Sequence, residues 1–70
     1  MKIKGRELNK ESNYLEPVTY VPNHANGNAG HPDCEQGVIV DFDEKLNIVK
    51  VLYCKGRTVQ STHPDNLVWG

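Results

Sequence analysis

"HPDNLVW", residues 63–69, decides how this chain closes. Pro64 fixes its own φ, and Asp65 or Asn66 can bond nearby backbone amides, so the first four residues predict one tight turn. The apolar residues that follow predict a short strand, Leu67–Trp69. A proline turn feeding straight into such a strand lets a small chain cross its own end and pair back with an earlier strand. The segment it must meet is "PVTYV", residues 17–21, where Val18 and Tyr20 alternate with Thr19 and Val21.

Between these two ends the signals are again those of strands. "GVIVDF" (37–42) is dense in β-branched residues and alternates Val38, Val40 and Phe42 against Ile39 and Asp41. "LNIVKVLY" (46–53) is apolar on both faces apart from Asn47 and Lys50, as expected of a central strand. The short "DEK" connection makes these two a hairpin. "KGR" (55–57) is the next turn, with Gly56 free to take positive φ, and "TVQST" (58–62) is the strand after it. No window of eleven residues carries apolar positions at the helical period. The order is strand, long polar loop, hairpin, tight turn, strand, single-turn link, short strand. That is the connectivity of an SH3-like barrel, so the chain reads as all-β, a small five-stranded SH3-like barrel with a long first loop. An OB-type barrel would want a helix between its third and fourth strands, and none is available. Alternation predicts a core of Val18, Tyr20, Val38, Val40, Val49, Val51, Val59 and Leu67, with Phe42, Tyr53 and Trp69 toward its edges.

Seventy residues allow one domain at the size where a single core barely suffices. A modest melting temperature, or stabilisation by self-association into an oligomer, is the expectation. Residues 1–16 read as a polar N-terminal arm with at most a short strand at Lys2–Lys4, and residues 17–70 as the barrel. The start, "MKIKGRELNK", has no apolar signal-peptide core, and no apolar run suits a bilayer span. A cytoplasmic setting with no membrane partner follows as an expectation, and in it Cys34 and Cys54 are read as reduced thiols. Net charge is −1, which predicts no general affinity for polyanions. Its distribution is uneven: residues 12–44 hold six acids and no lysine or arginine.

The long loop "PNHANGNAGHPDCEQ" (22–36) holds most of the chemistry-bearing side chains. A connection of this length in a compact domain is usually functional or disordered. A contact surface for a protein or peptide partner is therefore expected from His24, Asn26, His31, Asp33 and Glu35 of this loop and His63 of the final turn. Tyr53 and Trp69 are the candidate aromatic anchors. Zinc is the sharpest competing use, since His24, His31, Cys34, Cys54 and His63 are all metal-competent and His31-x-x-Cys34 can chelate. Structural zinc sites show two close ligand pairs, however, and here there is one, so no metal and no cofactor is expected. "HPD" occurs at 31–33 and at 63–65, which is good turn chemistry in its own right. Catalysis is not expected either: Cys34 with a histidine could be written as nucleophile and base, but so small a chain has little interior to exclude water. The rival to protein binding is nucleic-acid binding by the basic hairpin, through Lys50, Tyr53, Lys55 and Arg57.

Read in order, "VTYVPNHANGN", "HPDCEQGVIV" and "HPDNLVW" resemble a family of very small proteins from bacteriophage and prophage genomes, over residues Pro17 to Trp69. The shared pattern is Val18-Thr19-Tyr20, Pro22-x-His24, Gly27, His31-Pro32-Asp33-Cys34-Glu35-x-Gly37-Val38 and Pro64-x-x-Leu67-Val68. What the resemblance implies is context: a phage accessory protein in the bacterial host cytoplasm that binds a host protein or signal.

Overall fold

The computed structural model describes residues 1–70 and is all-β. Its strands are β1 (Lys2–Ile3), β2 (Arg6–Glu7), β3 (Pro17–Tyr20), β4 (Glu35–Asp43), β5 (Ile48–Tyr53), β6 (Val59–Thr62) and β7 (Leu67–Trp69), with single 3₁₀ turns at Asn23–Ala25 and Pro64–Asn66. Strands β1 and β2 make a small hairpin, and the other five form one antiparallel sheet in the order β6-β5-β4-β3-β7. The chain end does pair back as its sequence predicts: Val18 lies opposite Trp69 and Tyr20 opposite Leu67. Strands β6 and β7 stand at opposite edges of the sheet with no ladder between them. No helix is long and apolar enough to cross a membrane.

The phase of β4 differs from simple alternation, and the reason is local. Gly37 faces inward opposite Tyr53, and a Cβ there would sit 2.6 Å from both the Leu52 carbonyl oxygen and a Val51 methyl. Ile39, opposite Val51, is therefore the next inward residue and is buried, while Val38 and Val40 are only half-buried. The register then slips between Ile39 and Asp41, which leaves Val40 as the extra residue of a β-bulge. The bulge turns Phe42 back inward, opposite Val49, and bends the strand. Val59 also departs from expectation: it is 54 % exposed, because β6 is an edge strand and only Thr62 at its far end reaches over the core.

Residues 1–16 fold back onto the sheet instead of standing off as an arm. Ile3 and Leu8 join Val18, Ile39, Phe42, Val49, Val51, Tyr53 and Leu67 in a single buried cluster. Positive φ at Lys4 and Gly5 closes the β1–β2 turn. Asn9 accepts from the backbone of Glu11 and Ser12, and buried Asn13 accepts from the Asn9 amide and donates to Glu16. The segment thus satisfies its backbone through turns, and Ile3 and Leu8 do the anchoring.

Lys10 carries the same segment across to the bulge, where its ammonium lies 3.2 Å from Asp41. Asp41 also accepts from the Phe42 amide at 2.8 Å. That backbone bond first, and Lys10 second, hold the carboxyl below the ordinary carboxylate range. A folded-state value below the unfolded one means that the unfolded chain takes up the proton first as pH falls. The stabilisation is present at neutral pH and disappears as pH drops through the usual aspartate range and below it. Asp41→Asn should therefore melt below the parent at about pH 7, with the gap closing toward about pH 2, in paired thermal melts.

Candidate functional site

The long first loop is ordered by its own short-range bonds. Pro22 precedes the turn Asn23–Ala25, which buried Ala25 anchors and Asn26 closes in the left-handed conformation. The Asn28 carbonyl accepts from the His31 amide and from the Cys34 thiol, and its side chain accepts from the Gly30 amide. The final turn ties the loop to the sheet: the Asn66 side chain donates to the Val21 carbonyl and to Asn23. Both "HPD" segments use one device, the imidazole Nδ1 accepting the aspartate amide two residues on, at 3.0 Å for His31 and 3.2 Å for His63. Turn formation accounts for the repeat.

Two open clefts adjoin along the sheet end. One, of about 370 Å³, lies between the loop and the β5–β6 turn, with His24, Asp33, Cys34 and Lys55 on its sides. The other, of about 300 Å³, runs under the final turn past Tyr53, Gln60 and His63. Each alone is at the lower end for a small-molecule site. Tyr20 and Glu35 line both, so the two form one trough with an aromatic and a carboxylate at the junction. Tyr20 meets Tyr53 edge to face, with ring centroids 6.4 Å apart. The Tyr53 hydroxyl is tied to Thr62 at 2.6 Å, and burial raises its pKa above the ordinary tyrosine value.

Of the residues singled out in the sequence, His24, Asp33, Glu35, Tyr53 and His63 come together along this trough. His31 sits beside His24, their rings edge to face. Asn26 closes its turn and lines neither cleft. Trp69 is elsewhere: its indole N–H donates to the Ile3 carbonyl at 2.9 Å, under the Arg6 guanidinium. Tyr20, which alternation assigns to the core, lines both clefts; its position at the last residue of β3, just before the loop, is the signal for it.

The basic hairpin residues are dispersed. Lys50 faces outward opposite Asp41 in the β4–β5 ladder, Lys55 lines the loop cleft, and Arg57 occupies an exposed turn at positive φ. Tyr53, the aromatic meant to accompany them, is 4 % exposed and offers no open face for stacking on a base. Cys34 and Cys54 are both free thiols.

The metal-competent residues divide. His24, His31 and Asp33 place one ligand atom each within 4.8 Å of one another, whereas Cys34, Cys54 and His63 fall outside that group. His24 Nε2 lies 2.7 Å from an Asp33 carboxylate oxygen. That hydrogen bond, aided by the charge of His31 and opposed by partial desolvation, holds Asp33 below the ordinary carboxylate range. No protein-family model, curated protein or solved structure matches the chain.

Proposed function

We propose that this chain is a non-enzymatic binding module of phage type, an SH3-like barrel that takes a segment of a host protein into the trough between its long loop and final turn. The barrel reading is supported by the strand order β7-β3-β4-β5-β6, by the bulge that bends β4, and by the 3₁₀ turn that delivers β7 to β3. The observation that carries the binding reading is the junction at Tyr20 and Glu35, where two clefts, each at the lower end for a small-molecule site, adjoin along one trough. An aromatic beside a carboxylate, backed by a rigid sheet, suits an extended segment with an apolar and a cationic side chain. The bacterial host cytoplasm is the proposed setting.

The test is capture from a bacterial lysate by the intact chain and by Glu35→Lys. Glu35 is exposed, so its replacement leaves the core untouched. Proteins retained by the parent should be lost from the variant by about tenfold or more, the scale of one interfacial charge contact reversed. Equal capture by both would remove the trough from the binding surface. Salt-sensitive retention of nucleic acid, lost in Lys55→Glu with Arg57→Glu, would favour the rival reading.

A further inference from the structure

We propose that His24, His31 and Asp33 form a binding site for a divalent transition-metal ion of the zinc class, independently of any partner in the trough. Two imidazoles and one carboxylate are a borderline donor set, suited to Zn²⁺ or Ni²⁺ and poor for Ca²⁺ or Mg²⁺, which want oxygen throughout. All three donors are already within 4.8 Å of one another. Zinc bonds of about 2.0–2.2 Å put tetrahedral donors roughly 3.3 Å apart. His24 Nε2 and the Asp33 oxygen, at 2.7 Å, need only open slightly to admit the ion.

The imidazole pair supplies a second geometric match. Two imidazoles on one tetrahedral ion have ring centroids about 5.2 Å apart, given the same bond lengths. The His24 and His31 rings lie 5.4 Å apart at 82°. The rings are therefore already spaced as one ion would hold them, without hydrogen bonding to each other.

The loop backbone keeps these donors in place. His24 rides on a turn anchored by buried Ala25 and tied to Asn66 through Asn23. His31 and Asp33 belong to the turn held by the Asn28 carbonyl. One bond must be exchanged: His31 Nδ1 accepts the Asp33 amide, so coordination by His31 releases that N–H to solvent. Cys34, the partner that His31 has by spacing, instead points its thiol at the Asn28 carbonyl. The site is thus a three-ligand one. His24 and Asp33 also line the loop cleft, so the remaining coordination positions open toward it.

Calorimetric titration of the intact chain with Zn²⁺ alone, beside amide and imidazole NMR shifts, tests this. One equivalent should bind, with shifts centred on residues 23–34. His24→Ala and His31→Ala should each weaken binding by roughly tenfold or more, the scale reached even when only an outer-shell partner is removed. Asp33→Asn should weaken it too, while His63→Ala leaves it unchanged. Absence of binding by the parent, equal binding by His24→Ala and the parent, equal affinity for Ca²⁺, or a loss seen only with Cys34→Ser would each overturn the site. The three ligands are on the surface of an ordered loop, and chain folding is read in the same spectra.

Discussion

Gly37→Ala is expected to leave the chain largely unfolded at room temperature. The added methyl would sit 2.6 Å from the Leu52 carbonyl oxygen and 2.6 Å from a Val51 methyl, with the Tyr53 Cα at 3.1 Å. Two of these three neighbours are backbone at the last rungs of the β4–β5 ladder, so neither can swing away as a side chain would. Overpacking costs about 1–3 kcal/mol and occasionally more, and contacts this short against backbone put Gly37→Ala at the upper end. A single core in a chain this short rarely supplies more than about 3–5 kcal/mol in total. Urea denaturation followed by the fluorescence of Trp69, the one tryptophan, reads the loss directly. Gly27→Ala is the matched control. Its site has positive φ but open space around a new Cβ, so it should cost only about 1 kcal/mol through backbone strain. A Gly37→Ala midpoint equal to that of the parent would mean that β4 and β5 pair in some other register.

The same glycine shows why the strands could be read from the sequence and their phase could not. Five runs of β-branched and aromatic residues, with turn chemistry between them, place β3 to β7 within a residue or two. The closing pair of Val18 with Trp69 follows from "HPDNLVW". Which face of β4 is buried depends on a close approach across the ladder at Gly37 and on the extra residue at Val40, and a pattern of alternation contains neither. The site divides in the same way. Loop residues such as His24 and Asp33 stand out by chemistry and length of loop. Tyr20 does not, because an aromatic that is half in the core and half in a cleft has the same local pattern as one wholly buried. The association of His24 with Asp33, nine positions apart, is set by two successive turns, whereas the sequence spacing favoured His31 with Cys34.

The N-terminal segment gives the second large effect. Ile3→Ala should destabilise the chain by about 2–4 kcal/mol, the usual cost of emptying a fully buried aliphatic site. Ile3 has no exposed surface and belongs to the central cluster with Leu67 and Val18, although the residues around it are lysine, glycine and arginine. Sparse hydrophobicity hides the segment: Ile3 and Leu8, with lysine, glycine, arginine and glutamate between them, look like parts of a solvated arm unless a turn at Lys4 and Gly5 brings both to one side. Removal of Ile3 also withdraws support from the backbone carbonyl that receives the Trp69 indole at 2.9 Å. The variant should therefore show a red-shifted Trp69 emission in its native baseline as well as an earlier urea midpoint. Arg6→Ala separates the contributions, because it takes away only the cation over the Trp69 ring and the exposed pair with Glu16. Contacts of that sort are worth about 0.5–1 kcal/mol at the surface. Should Ile3→Ala and Arg6→Ala cost the same small amount, the first strand would be an ornament on the sheet; a difference of severalfold makes it part of the core that holds β7, and with it the final turn, beside β3.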